Sequence, residues 1–176
     1  MAARTGPVLD LACGSGGNGL LVAENGAEVH FWDKNIEFLK DIEARAAEKG
    51  LLVYTRQVDL ESGTRGLFPQ EYFAAVMVFR YLHRPLIPDI KSSVQSRGII
   101  IYETFTARQA DIGKPSNPDF LLKDHELPGL FSGWQIMDYY QGRLENPQRY
   151  MAGIVVRKEQ SPAHKSAAQG IDDLTL

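Results

Sequence analysis

Short apolar runs alternate along most of the chain with stretches of helical period, and that alternation is the pattern of a parallel sheet covered by helices. Pro7 to Ala12 predicts a first strand and Asn18 to Glu24 a helix, ended by the pair Asn25-Gly26. A second strand runs from Glu28 to Trp32 and stops on Asp33. Asn35 then offers an N-cap to a helix carrying Ile36, Leu39, Ile42 and Ala46 on one stripe, closed by Gly50. Leu51 to Val58 predicts a third strand. After the turn-rich ESGTRGLFPQ comes a fourth, Phe73 to Phe79, whose unbroken apolar run suits burial on both faces. Leu86, Ile87, Ile90 and Val94 mark another helix, and Gly98 to Thr104 a fifth strand.

The rhythm then changes. FTARQADIGKPSNPDFLL predicts a long loop, of the kind that in a compact domain usually serves function, before a short helix near Asp124 to Phe131. Trp134 to Gln141 and Tyr150 to Lys158 are β-rich and separated only by the turn-like GRLENPQR. That is too little chain for a crossover helix, so they should pair antiparallel. The fold class expected is α/β: a Rossmann-like, doubly wound sheet of seven strands, mostly parallel, with a C-terminal antiparallel hairpin. One domain is expected over residues 1–158. Residues 159–176 have few large apolar side chains and read as a disordered tail.

Composition narrows the classes of function. A chain of 176 residues suits one core, and 44% apolar with 23% charged residues suits a soluble globular body. A net charge of -3 without clustered Lys or Arg gives no expectation of a nucleic-acid partner. The single cysteine, Cys13, has no intrachain disulfide partner, which fits a reducing compartment. No apolar run approaches a membrane span, and MAARTGPV lacks the apolar core of a signal peptide. The expectation is a cytoplasmic protein with no membrane partner and no metal site.

The chemistry concentrates in VLDLACGSGGNG, residues 8–19. Gly14, Gly16 and Gly19 match the G-x-G-x-x-G dinucleotide pattern, and on that match alone a nicotinamide oxidoreductase stays open. Asp10, near the carboxyl end of the strand, would repel a pyrophosphate held at the following helix. S-adenosyl-L-methionine carries no phosphate and has an ammonium beside a sulfonium, so a carboxylate there is attractive; alternatively, Asp10 only bonds loop amides.

The row VLDLACGSGGNGLLVAENGAEVHFWD resembles the first two motifs of class I S-adenosylmethionine-dependent methyltransferases. The resemblance continues through QVDLE, FAAVMVFRYLHRPL, GIIIYETF and the final hairpin. FRYLHRPL, IYETF and NPDFLL together are most similar to the bacterial branch near the tellurite-resistance methyltransferases. It implies that Asp10, Ala12, Cys13 and Gly14 frame the methionine portion of the cofactor, with Gly16 allowing close backbone approach and Asn18 within reach. Asp33, followed by Lys34, would accept from the ribose hydroxyls, a role that general reasoning also gives to an acid ending the second strand. Asp59 would accept from the adenine amino group and the Leu60 amide would meet a ring nitrogen, although an aspartate there also serves as a plain turn residue. Phe79 would lie beside the methyl donor, or in the core.

Methyl transfer is an in-line displacement that positioning alone can accelerate, leaving S-adenosyl-L-homocysteine as product. The catalytic candidates are Arg80, Tyr81 and His83, which follow the fourth strand at the edge where open α/β sheets bind ligands. His83 suits proton removal from an acceptor, or caps a turn. Arg80 and Arg84 suit an anionic substrate, or pair with Glu103 or surface acids. The acceptor expected is a small molecule, because no base-methylating Asn-Pro-Pro-aromatic motif follows the fourth strand; NPDF, at Asn117 to Phe120, follows the fifth. Relatives carry one or two helices ahead of the first strand, whereas six residues precede Pro7. A more open pocket is therefore expected, covered by the long loop, the tail or another subunit, and apolar surface left bare would favour a homodimer. A binding module that holds the cofactor without turnover is the alternative reading.

Overall fold

The computed structural model describes residues 6–63 and 66–160; the N-terminal five residues and most of the tail expected to be disordered lie outside the described residues. Seven strands form one sheet in the order β3-β2-β1-β4-β5-β7-β6. The strands are β1 (Val8–Leu11), β2 (Val29–Asp33), β3 (Val53–Gln57), β4 (Phe73–Phe79), β5 (Val94–Phe105), β6 (Gln135–Leu144) and β7 (Arg149–Arg157). The first five run parallel, and β7 lies antiparallel between β5 and β6. The expected class and its terminal hairpin are therefore what the chain forms.

The helices are α1 (Gly17–Glu24), α2 (Ile36–Lys49), α3 (Ile87–Ser93) and α4 (Glu126–Leu130). The Asn35 side chain accepts from the Glu37 amide and starts α2, while Gly50 ends it in the left-handed region. Leu39, Ile42 and Ala46 are buried as the stripe predicts, but Ile36, the first residue of α2, is 39% exposed. The stripe packs with Val29, Phe31, Leu20 and Ala23 into a small core on one face of β2. A larger core unites Leu9, Leu11, Val76, Val78, Ile100, Tyr102, Ile154 and Val156 with Ile87 and Ile90 of α3 and Phe131.

Two elements differ from expectation. Val94 begins β5 instead of closing a helical stripe, because it pairs with Phe73 ahead of a register shift. The long loop after β5 is built of 3-10 turns at Ala107–Asp111 and Pro118–Phe120, and Gln109 is buried within it, 6% exposed. Its amide Nε2 donates to the Lys114 carbonyl (3.0 Å) and its Oε1 accepts from the Tyr150 N–H (2.9 Å), so this loop is tied to β7. Among the described residues no helix is long and apolar enough to cross a membrane.

Candidate functional site

Two parallel strands end in residues with left-handed backbones: Ala12 after β1 (φ 53°) and Arg80 after β4 (φ 56°). A side chain in that region costs about 1–3 kcal/mol, and such strain gathers at functional sites. The Arg80 N–H donates to the Glu103 carbonyl (2.7 Å), and the Tyr102 hydroxyl donates to the Tyr81 carbonyl (2.9 Å). Held this way, the turn places Tyr81 in a cleft of about 70 Å³ with Ala12, Asp33, Lys34, Val58, Asp59, Leu60 and Glu61.

The glycine loop is stapled to β2. Gly14 N–H donates to Asp33 Oδ2 (2.8 Å), Asn35 N–H to Asp33 Oδ1 (2.8 Å), and Cys13 N–H to the Trp32 carbonyl (3.1 Å). An ionised carboxylate has about four acceptor positions, so Asp33 keeps capacity for further donors. Gly16 and Gly19 are required by packing. A Cβ at Gly16 would lie 2.6 Å from Ile42, and one at Gly19 would lie 2.6 Å from Asp10 Oδ2 and closer still to the Phe31 ring. At Gly16 the missing side chain lets the loop pack against Ile42 and Phe31 of the protein's own core.

Asp10 is 3% exposed, and its Oδ2 accepts the Gly19 N–H (3.0 Å). Burial pushes its pKa up to about 7, the Gly19 bond pulls it down, and the charge of Asp33 adds to the rise. It therefore bonds a loop amide, as the plainer sequence reading holds, and it also stands ready to ionise beside a cation. Burial, with Asp10 and Asp33, pushes the Cys13 thiol well above its usual range, which keeps it protonated and unreactive. Asp59 Oδ1 accepts the Glu61 N–H (3.0 Å), so the acid both shapes its turn and lines the cleft.

The cleft thus gathers Ala12, Asp33, Lys34, Asp59 and Leu60 from the expected cofactor set, and adds Tyr81 from the expected catalytic set. Val58 and Glu61 also line it and were not singled out; the QVDLE string that contains Glu61 was the available signal. Asn18 is exposed in the first turn of α1. Phe79 is half-buried, opposite Glu103, and Arg80 is exposed. His83 is half-buried; its carbonyl accepts the Leu86 N–H (3.0 Å) at the start of a 3-10 turn, but its side chain makes no capping bond. Phe79, Arg80 and His83 are not among the residues lining the cleft.

Across the sheet, Arg84 has a structural task. Its Nε and Nη2 donate to Glu126 (2.6 and 2.8 Å), and its Nη1 and Nη2 donate to the carbonyls of Asp119 and Leu121 (both 2.9 Å). Arg84 thus pairs with an acid other than Glu103, the half-buried Glu126, which no local pattern singles out. Glu103 accepts from the Tyr140 hydroxyl (2.6 Å), a bond between β5 and β6 across Gly153 of β7. A second cleft, of about 270 Å³, opens beneath the long loop and is lined by Thr106, Arg108, Asp124, Gln141, Tyr150 and neighbours. Among the described residues no group of three His, Cys, Asp or Glu side chains is placed to hold a metal ion.

The sheet order and terminal hairpin define a class, a Rossmann-like α/β fold that is shared with solved SAM-dependent methyltransferases. The crystal structure of TehB from Haemophilus influenzae superposes with a TM-score of 0.75 at 22% identity, covering 89% of this chain and 58% of that one. A SAM-dependent methyltransferase from Methanosarcina mazei gives 0.71 at 16% identity, covering 91% and 95%. Residues 2–149 match the family described as tellurite resistance protein TehB, and the chain belongs to that family of SAM-binding, methyltransferase-like proteins. A curated relative from Haemophilus influenzae, named "Probable S-adenosyl-L-methionine-dependent methyltransferase TehB", is 24% identical over 141 residues, 78% of this chain and 49% of its own length. The chain spans about half the length of the curated relatives it matches. The [4+2]-cyclase SpnF shares the architecture too, with a TM-score of 0.70 at 17% identity, covering 89% and 76%.

Proposed function

We propose that the protein transfers a methyl group from S-adenosyl-L-methionine to a small-molecule acceptor. The observation that carries this reading is the cleft in which acids ending β2 and following β3, Asp33 and Asp59, stand beside the strained Ala12 of the glycine loop. Those residues fit the cofactor's adenosine, because its ribose hydroxyls and amino group are donors and the carboxylates are acceptors. Asp10, buried under the same loop, supplies negative charge for the cationic methionine end. When bound, the cofactor supplies a methyl group activated by its sulfonium.

The chain's own residues then have separable tasks. Asp33 fixes the loop through Gly14 and accepts from the ribose, and Asp59 with the Leu60 amide holds the base. Dispersal of positive charge as the methyl departs needs no dedicated acid, so alignment of acceptor and donor does most of the work. His83 is the candidate for taking a proton from an acceptor that carries one. The second cleft, with Arg108, Asp124, Gln141 and Tyr150 around about 270 Å³, has the size and polarity for a small polar acceptor.

The test is incubation with methyl-tritiated S-adenosylmethionine and a panel of small acceptors, with label in product as the readout. Transfer that is lost in Asp33→Ala supports the proposal. Binding without transfer to any acceptor would favour a module that holds the cofactor for another purpose. SpnF, whose name denotes a cyclase, makes that second reading concrete, since one fold hosts unlike activities.

A further inference from the structure

Among the described residues the hydroxyl of Tyr81 is buried without a hydrogen-bond partner. Leaving such a group unpaired costs stability, and native proteins rarely do so without a use for it. The main chain around it is fixed by the Tyr102 bond to its own carbonyl and by the left-handed Arg80. Tyr81 lines the cleft with Ala12 and the acids Asp33, Asp59 and Glu61. Burial first, then the charges of Glu61, Asp59 and Asp33, push its pKa above the usual phenol range, so the hydroxyl keeps its proton and can donate. Asp33 already receives two backbone amides and Asp59 one.

The donor inventory of the cleft gives the hydroxyl its purpose. Three carboxylates can read the donors of an adenosine, its hydroxyls and its amino group, but the purine ring nitrogens and the ribose oxygen are acceptors. Those atoms need donors from the protein: the Leu60 amide is assigned to one ring nitrogen, and Lys34 and the Tyr81 hydroxyl are the side-chain donors among the residues lining the cleft.

We infer that the Tyr81 hydroxyl donates a hydrogen bond to the adenosine portion of the bound cofactor, which makes Tyr81 a cofactor-binding residue and not a group of the acceptor side. This rests on the proposed reading of the cleft as the S-adenosylmethionine site. A tyrosine two residues past β4 would otherwise be assigned to the acceptor from sequence position alone.

Tyr81→Phe separates the possibilities. Calorimetric titration with S-adenosylhomocysteine and with 5′-methylthioadenosine, which lacks the amino-acid end, is combined with thermal unfolding of the unliganded protein. The expected result is a loss of affinity of about tenfold for both ligands, with an unliganded melting temperature equal to or above that of the parent. Equal affinities in parent and variant would overturn the inference. So would a loss confined to S-adenosylhomocysteine, which would move the contact to the amino-acid end, or a lowered unliganded melting temperature, which would show the hydroxyl already paired in the fold. Failure of the parent to bind either ligand would instead reject the reading of the cleft, and the inference with it.

Discussion

Asp33 ends β2 and Arg84 opens the 3-10 turn that follows β4, and both tie distant stretches of chain together. Asp33 does so with capacity left over: two backbone amides use part of its carboxylate, and the rest faces a cleft. Arg84 binds one carboxylate with two nitrogens and two loop carbonyls besides, which uses four of its five N–H donors. The same contrast holds more widely. Around the ends of β1, β2, β3 and β4 the polar groups Asp10, Asp33, Asp59 and Tyr81 are organised yet incompletely partnered. Around β5, β6 and β7, Glu103 and Tyr140 close on one another, Gln109 on backbone, and Arg84 of the turn after β4 on Glu126 and backbone, while Arg149 Nε is the buried atom left unpartnered there among the described residues. A half with open bonding capacity is suited to a fixed ligand; a half closed on itself is suited to holding a loop whose cleft selects by shape.

The sharpest way to break this contrast is Arg84→Ala. It should lower stability by about 2–3 kcal/mol, or roughly 4–12 °C in melting temperature, with no change in S-adenosylhomocysteine affinity. A loss of affinity without a loss of stability would place Arg84 in the binding machinery after all. The same pair carries a pH signature. The Arg84 bond holds Glu126 below the usual carboxylate range, so its stabilisation is present above the unfolded pKa and is lost only as pH falls through the lower folded value. Melting curves across acid pH should show that loss in the parent and not in Glu126→Gln.

Asp33→Ala is the mirror experiment. Affinity for S-adenosylhomocysteine should fall by about tenfold to a hundredfold, corresponding to about 1.4–2.7 kcal/mol, while melting temperature changes less than in Arg84→Ala. Asp10→Asn comes next. Because the folded pKa of about 7 lies above the unfolded one, the protonated carboxyl is favoured by folding, and stability falls as pH rises from about 4 to about 7. S-adenosylmethionine affinity should rise over pH 6–8 as the carboxylate forms. The asparagine variant should lose both dependences, and an unchanged pH profile would show that Asp10 does not face the cation. The smallest effect is expected from Arg108→Ala, whose guanidinium lies 4.5 Å from the centre of the Tyr150 ring at an exposed site. About 0.5–1 kcal/mol of stability is at stake there, readable by chemical denaturation.

The legibility of the two halves in the sequence follows the same division. The glycine loop, the acid after it and the Asn35 cap are local signals, each within a few residues of the element it builds, and the strand-helix alternation places them at one edge of the sheet. Arg84 and Glu126 lie 42 positions apart, and Glu103 and Tyr140 lie 37 apart. No local pattern announces such pairs. Tyr81 lies at the edge of the sheet where the sequence places it, in the cleft with Asp33 and Asp59, but periodicity does not report the left-handed turn at Arg80 that precedes it. Val94 shows the same limit at the level of elements, since its helical spacing is overruled by pairing with Phe73.

The central claim is that the acid-lined cleft is an S-adenosylmethionine site and not a dinucleotide site. Calorimetric titration of the purified protein with S-adenosylhomocysteine and, separately, with NAD tests it most directly. The account predicts saturable binding of S-adenosylhomocysteine and none of NAD. Binding of NAD alone, or of neither ligand, would contradict it.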